Sequence, residues 1–558
     1  MKMTIGRFLI MRLQQMGIAH VFGVPGDFNL QLLEQFREVE GIEFVGNCNE
    51  LNASYAADGY ARMNGVGALL TTYGVGDLSA VCGIAGACAE HVPVVFISGT
   101  PPLYAMEGRL RVHHSLAEGN FDNVRNCLKE FTVAYTRLTP YNTVEELDRT
   151  LLACWREKQP VYIQVPSNVT YLEIDVPEHR LSLALPASDP ERLESAARRI
   201  AGMLAKAAHP VLLVDIDADR SAIASGLCAL VKKVQIPYAS FRTGKAVLSE
   251  ADPRFLGVFN GKASKPEVGA AVAQSDCLIA TAPCYLEASP MVVPDGLPVA
   301  SDVYIRGFSV TVQGEVYEGV TASELIARLL ELVTPRAAAT KPLLKRAELP
   351  VAKVGAALTH ACLWPRMERF FQKNDIVIAE NGTSAIAMTD VRLPEGCSYI
   401  AQNIWGSIGY TLPALLGAQM AQPKRRSVLF IGDGSLQLTV QELSTILREK
   451  LKPIIFVINN SGYTIERYIL GMHAKYNEIA DWQYTRLPEV FAPDATVFVA
   501  SAGTEDELEG VLARAEKADT ACFIELRLDA FDAPQGLKSF GPVVAEMDYG
   551  PRGPQRQQ

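Results

Sequence analysis

Between Arg426 and Asn460 two short, wholly apolar runs, Val428–Ile431 and Ile454–Ile458, each break off into polar residues. The first ends on Gly432-Asp433-Gly434 and the second on Asn459-Asn460. A short apolar run closed by glycine reads as a buried parallel strand entering a tight loop. Thr439 and Glu442 stand at capping-box spacing ahead of a helical pattern that reaches Lys450. The stretch therefore predicts strand, loop, helix and strand. In an open parallel sheet the ends of such strands lie side by side on the ligand-binding edge, which brings Asp433 to Asn459-Asn460.

The residue types there narrow the ligand. Gly432 and Gly434 let the backbone approach an anion, and the following helix directs free N–H groups and its positive dipole end at it. Asp433 and Asn460 offer oxygens to a hard cation. Mg²⁺ suits them, because it takes few protein oxygens and completes its octahedron with phosphate and water. Gly-Asp-Gly by itself is an ordinary turn. The two strands, the cap spacing and the paired asparagines are what turn the reading toward a diphosphate held through magnesium.

At 558 residues the chain has room for three domains of ordinary size. Helices and short apolar strands alternate from Met1 to Asn168, which predicts a doubly wound α/β unit. The stretch Glu178–Glu191 breaks the pattern as a linker, and a second α/β region follows with strands at Val211–Val214, Pro237–Ser240 and Cys277–Thr281. A further linker from Thr334 to Pro350 leads into the third unit. The expected divisions are 1–180, 190–335 and 350–558, and the Pro-, Gly- and Gln-rich tail from Tyr549 is expected to be disordered. A net charge of −10 argues against nucleic acid as a partner. No apolar run approaches a membrane span, and the N-terminus reads as a first helix around Ile5, Phe8, Leu9 and Leu13 rather than a leader. Eleven cysteines without C-x-x-C pairs fit a reducing, cytoplasmic setting.

Longer motifs are distinctive: Phe22-Gly-Val-Pro-Gly-Asp27, Asn49–Arg62, Gly83-Ile-Ala-Gly86, Ala89–Val94 and His113-His114 ahead of Gly119-Asn-Phe121. In the last third stand Gly382-Thr-Ser-Ala385, Trp405-Gly-Ser-Ile-Gly409 and Asn460–Glu466. With Gly432-Asp433-Gly434 and Asn459-Asn460, these resemble the thiamine diphosphate-dependent 2-oxo acid decarboxylases of the pyruvate and indolepyruvate decarboxylase type. The resemblance covers nearly the whole chain and is weakest in the middle region and the tail. It implies a pyrimidine-binding first domain, a middle α/β domain and a diphosphate-binding third domain, all doubly wound parallel sheets. It also implies a cofactor lying between the first domain of one subunit and the third domain of another, hence a homodimer at minimum and an expected homotetramer.

The roles implied by the resemblance fall on particular residues. Glu50 would hydrogen-bond the aminopyrimidine and favour the imino tautomer that takes the thiazolium C2 proton. Ile408 would be the wedge that bends the cofactor, with Thr383 and Gly406 holding it. Asp433, Asn460 and the Gly462 carbonyl would bind Mg²⁺. Gly432, Gly434, Ser435, Tyr463, Thr464 and Ile465 would complete the cofactor contacts. Asp27, His113, His114 and Glu466 would handle protons during carbonyl attack, CO₂ loss and enamine protonation, which calls for groups tuned toward neutrality. Ala385, Ile465 and Ile469 would face the substrate side chain. Pyruvate-restricted bacterial members carry Trp at the position of Ala385, so a pocket admitting branched or aromatic 2-oxo acids beside pyruvate is expected.

Taken singly, each residue has a plainer reading. Glu50 can complement a helix dipole, Asp27 can be a turn residue, Glu466-Arg467 can be an exposed charge pair, and Ile408 can be core. Glu90 and His91 fit the resemblance but serve no identifiable step and are read as structural. Ser461 and Asn381 depart from the family pattern, as does the 281–290 loop, and Asp215–Asp219 lacks the regulatory cysteine of some yeast-type members. Other readings stay open: pyruvate as the main substrate, a carboligase, a flavin-linked oxidoreductase or a non-catalytic binding homologue. No Gly-x-Gly-x-x-Gly opens a helix in the middle region, which counts against the flavin reading.

Overall fold

A computed structural model describes residues 1–261, 264–283, 302–337, 349 and 351–557. Positions 284–290 of the atypical loop and most of the second expected linker lie outside the described residues.

Two six-stranded, all-parallel sheets share one topology. In the first, the strands in chain order are His20–Gly23, Glu43–Gly46, Gly67–Thr72, Val94–Thr100, Ala134–Arg137 and Val161–Pro166. In the second they are Ile376–Ala379, Ser398–Ile400, Ser427–Gly432, Ile454–Asn459, Val497–Ala502 and Ala521–Arg527. Each sheet is ordered second, first, third, fourth, sixth, fifth. The strand order therefore reverses between the first and third strand of both, and that crevice is where ligands seat in open α/β sheets. The central strands are apolar throughout because helices cover both faces; Val94–Thr100 and Gly67–Thr72 are buried at every residue. Ala134–Arg137, an edge strand with only one residue buried, carries no such signal and is absent from the sequence reading.

The middle sheet adds something to the parallel core. Phe255–Val258, Tyr238–Ser240, Pro210–Val214, Cys277–Thr281 and Val303–Ile305 run parallel, and Ser309–Val312 and Glu315–Glu318 append an antiparallel hairpin. Gln313 and Gly314 both have positive φ, 48° and 84°, as a two-residue turn matched to strand twist requires. The linker residues after Val176 lie against the first domain: Arg12 donates to the His179 carbonyl and Trp155 Nε1 donates to the Leu183 carbonyl. The tail folds back rather than straying, with Pro554–Gln557 a short 3₁₀ turn and Gln555 donating to the Gly550 carbonyl.

The first and third domains meet along two helices, Glu50–Asn64 and Thr411–Ala421. Asp58 accepts from the Tyr410 hydroxyl, while a methyl at Gly59 would stand 2.2 Å from the Ala414 carbonyl oxygen and one at Gly417 1.8 Å from that of Ala56. Residues 52–61 and 411–419 are buried without a break, and small side chains let the backbones touch. A buried ion cluster closes the same face: Arg62 bonds Asp58 and Glu90 at 2.6 and 2.8 Å, and Glu90 accepts from Ile404 N at 2.8 Å. His91, next to Glu90, reaches Asp217 of the middle domain at 2.7 Å. Glu90 and His91 thus tie domains together, a structural part. Among the described residues no helix is long and apolar enough to cross a membrane.

Candidate active site

At the crevice of the third sheet, the strand Ser427–Gly432 delivers Asp433 and the strand Ile454–Asn459 delivers Asn460, as the sequence pattern requires. Asp433 is buried and accepts from Gly434 N at 2.8 Å and Gly462 N at 3.2 Å. Burial pushes its carboxyl up to about 6 against the pull of those amides. The Asn460 side-chain oxygen lies 2.8 Å from the Gly462 carbonyl oxygen and 3.3 Å from Asp433 Oδ1, with no donor between them. Turning the amide over would replace this repulsion by two hydrogen bonds. Three oxygens meeting in this way fit around a cation. Adjacent ligands of an octahedral Mg²⁺ with bonds of about 2.1 Å stand roughly 3.0 Å apart, which matches. The amide nitrogen in this orientation lies 2.8 Å from Thr464 Oγ1, which donates onward to the Ala530 carbonyl and so has a lone pair free to accept.

The loop carrying these oxygens has little freedom. Ser461 and Gly462 have φ of 56° and 135°, and a methyl on Gly462 would stand 2.0 Å from the Asn477 carbonyl oxygen. Arg467 is buried, and its guanidinium donates to the carbonyls of Asn460, Ser461 and Ala530. The exposed charge pair read from Glu466-Arg467 is therefore half corrected: Arg467 pins the loop, while Glu466 stays exposed. The Glu466 carboxyl is raised above its ordinary range, first by partial desolvation and then by Asp548 on the C-terminal helix Gln535–Tyr549.

Gly434 faces the Tyr463 ring so closely that a methyl there would meet it at 2.5 Å, whereas one at Gly432 would meet nothing within 4 Å. Space is thus kept beside Gly432. Gly382, at φ 108°, opens the helix Thr383–Met388 and faces Ile465. Gly406, at φ 68°, lies against the Asn381 amide, and Gly409 abuts Ser435 and Leu438. Thr383, Gly406, half-buried Ile408, Gly432–Ser435 and Asn460–Ile465 are therefore gathered around one crevice. Ala385 is buried among core residues of the third domain; it is its neighbour Ile386 that packs with Ile465 and Leu537. Ile469 sits half-buried at the end of the same short helix, Thr464–Ile469.

The first domain assembles a second group at the equivalent crevice. Asp27 follows the strand His20–Gly23, and its carboxylate lies 2.7 Å from His113 Nε2 and 3.8 Å from His114 Nε2. Phe28 stacks on His113 at 4.9 Å. His114 has φ 58°, and Gly74, two residues after the third strand, leaves room for the His114 carbonyl where a methyl would stand 1.9 Å away. Asp77 fixes that turn: buried, with its carboxyl raised to about 6 by burial, it accepts from Gly74 N, Thr71, Ser98 and Tyr162. Glu50 opens its helix after the cap Asn49, half-buried beside Gly76, and its carboxylate accepts no hydrogen bond among the described residues.

The Gly406–Gly409 loop also touches the first domain of its own chain: the Tyr55 hydroxyl bonds Ser407, Trp405 Nε1 lies 3.4 Å from Cys82 Sγ, and Tyr410 donates to Asp58.

Sequence reasoning missed three charged residues. Glu442, read as a capping acid, is fully buried and accepts from Asn47 and Asn52 of the first domain at 2.8 and 2.9 Å. Thr439 donates instead to the Gly409 carbonyl, and the helix divides into Asp433–Thr439 and Glu442–Arg448. Glu380, its carboxyl raised to about 7 by burial, accepts from Thr411 and Asn381 under the Gly406–Gly409 loop. Arg467 is the third. The only local signal for any of them is a charge inside an otherwise apolar stretch.

Comparison with known proteins gives three family matches in order along the chain. Residues 3–124 match the thiamine pyrophosphate enzyme N-terminal TPP binding domain, 197–286 the central domain and 380–526 the C-terminal TPP binding domain. An alpha-keto-acid decarboxylase of Mycobacterium avium (strain 104) is 37% identical over 540 residues, covering 96% of this chain and 95% of its own length. Pyruvate decarboxylase isozyme 2 of Saccharomyces cerevisiae is 37% identical over 560 residues, covering 98% and 99%. An alpha-keto-acid decarboxylase of Mycobacterium tuberculosis (strain H37Rv) is 37% identical over 550 residues, covering 98% and 97%.

Proposed function

This chain belongs to the thiamine pyrophosphate enzymes, and from that premise we propose that it decarboxylates a 2-oxo acid to an aldehyde and CO₂ without oxidation. The observation that carries the reading is the meeting of Asp433, Asn460 and Gly462 oxygens at the crevice of the third sheet, in a chain alike along its whole length to decarboxylases. Thiamine diphosphate, when bound, supplies the nucleophilic carbon and the electron sink. The protein's part is geometry and polarity.

Asp433, Asn460 and the Gly462 carbonyl would hold Mg²⁺ against the diphosphate, and the open side of Gly432 leaves room for it. Glu50, whose carboxylate has no hydrogen-bond partner among the described residues, would accept a hydrogen bond from the aminopyrimidine. Asp27 and His113 stand at hydrogen-bond distance with His114 beside them at 3.8 Å, a group suited to passing protons, and Glu466 adds a carboxyl already tuned upward. As the family resemblance implies, the site would be completed by the first domain of another subunit, which a C2 interface supplies twice. The working unit is thus a homodimer at minimum, with a homotetramer expected. Ile465 and Ile469 give the substrate side a half-buried apolar wall suited to branched or aromatic 2-oxo acids as well as pyruvate. The ten described cysteines are all free, in keeping with a cytoplasmic enzyme.

A panel of 2-oxo acids from pyruvate to phenylpyruvate, with Mg²⁺ and thiamine diphosphate supplied, tests this by aldehyde release. Turnover of at least one acid is expected. Cofactor binding without aldehyde from any acid would overturn the decarboxylase reading, and turnover of pyruvate alone would overturn the wide pocket.

A further inference from the structure

A cleft of about 730 Å³ opens between the middle domain and the C-terminal helix Gln535–Tyr549. Its walls are apolar over much of their extent: Phe255 and Val258 from the middle sheet face Ile386, Phe540 and Val543. Four cationic side chains reach it, and three are held. Lys245 bonds both Glu250 oxygens at 2.8 and 2.9 Å, and Lys265 meets Asp390 at 3.2 Å. Arg392 donates to the carbonyls of Glu250 and Asp252.

Arg242 differs from these. One nitrogen donates to the Asn403 amide oxygen at 3.2 Å, and its guanidinium lies 5.8 Å from the centre of the Phe540 ring. No carboxylate pairs with it among the described residues, and its Nε is buried without a partner. Desolvation lowers its pKa, which marks a cation that its surroundings do not fully offset. A guanidinium beside an aromatic ring and an apolar cleft is the recognition chemistry for a carboxylate attached to an apolar tail. An inorganic anion would satisfy the charge but leave the rest of the cleft wet.

We propose that this cleft is a binding site for an amphipathic monocarboxylate, its carboxylate on Arg242 and its apolar group between Val258, Phe540 and Val543. The site also has a route to the reaction centre. Gly536 faces Ile386, and Gly541 lies so near the Tyr468 carbonyl that a methyl would stand 2.3 Å from it. Whatever fills the cleft therefore bears on the helices Thr383–Met388 and Thr464–Ile469 through the C-terminal helix.

Fluorine NMR of 4-fluorophenylacetate, titrated against the cofactor-loaded enzyme, tests the proposal. Arg242→Gln removes the charge, and Val543→Trp narrows the cleft from a 45% exposed position that leaves Arg242 and the fold alone. Binding to the wild type should weaken by about 10- to 100-fold in Arg242→Gln, the range for losing a charged hydrogen-bond partner. It should weaken in Val543→Trp as well and recover in part in Arg242→Lys. Hydrogen exchange over 535–549 should slow on adding the probe to wild type and not to Arg242→Gln. Equal binding by wild type and both variants would place the probe elsewhere and overturn the proposal. Absence of binding to the wild type would overturn it too. Equal displacement of the probe by acetate or inorganic phosphate would overturn the part assigned to the tail.

Discussion

Gly417→Ala is the substitution whose cost the structure fixes most directly. In a helix interior, alanine should gain about 1 kcal/mol over glycine. At Gly417 the added methyl would stand 1.8 Å from the Ala56 carbonyl oxygen and 2.7 Å from Tyr60 N, both backbone atoms that no rotamer change can move. Contact needs at least 3.0 Å, so the helices Glu50–Asn64 and Thr411–Ala421 must part by 3.0 − 1.8 = 1.2 Å. A gap of that size forfeits roughly half of the dispersion energy across it, and overpacking of this kind costs about 3 kcal/mol. The net loss is then about 2 kcal/mol. Gly202→Ala is the control, because it lies on the helix Pro190–Lys206 with nothing within 4 Å of the new methyl. It should gain about 1 kcal/mol. One chemical change thus has opposite signs at two helical sites. Urea midpoints by circular dichroism should move in opposite directions. Hydrogen exchange should localise the loss to 50–64 and 411–421, which matters because a three-domain chain does not unfold in one step. An upward shift in Gly417→Ala with unchanged protection of both helices would refute the close-packing argument.

Asp433→Ala should lower thiamine diphosphate affinity more than about 100-fold in equilibrium dialysis with Mg²⁺, since a hard cation with few protein ligands loses its only carboxylate; wild-type affinity would sink the oxygen-cluster assignment. Glu50→Gln and Asp433→Ala should each be inactive, yet regain part of the activity when subunits exchange; verified heterodimers that stay inactive would show that the two groups are not completed between chains. Ile465→Phe should reduce turnover of phenylpyruvate far more than that of pyruvate, within the modest selectivity of roughly 1–3 kcal/mol per methylene, and equal losses would remove Ile465 from the pocket. The hydrogen bond and charge of Asp217 raise the pKa of His91 above 6.5, so the pair stabilises the fold fully below 6.5 and the contribution fades as pH rises through the folded value. With His91 47% exposed the effect is under about 1 kcal/mol, and proton NMR of His91 should show the raised pKa fall in Asp217→Asn.

The chemistry of the third-domain crevice was legible in the chain itself. Buried parallel strands are written as apolar runs, and their ends as Gly-Asp-Gly and Asn-Asn, so the pattern fixes Asp433 and Asn460 without any distant contact. Linker 178–191 and the helix at Glu50 are local for the same reason. Elements whose identity rests on their neighbours were not legible. The edge strand Ala134–Arg137 has one buried residue, and the hairpin over 309–318 is known only by its pairing. Thr439 and Glu442 have the spacing of a helix cap, and only the fold reveals that Glu442 meets Asn47 and Asn52, some 395 and 390 residues away. Arg467 likewise looks the same in sequence whether it faces water or three backbone carbonyls. The common topology of the first and third domains shows in no repeated motif, because a fold constrains which positions are apolar far more than which residues fill them. Local periodicity thus decided the strands and the metal-ligand candidates. The close packing of two glycine-bearing helices decided how the first and third domains meet, because it depends on contact between backbones that is written nowhere along the sequence.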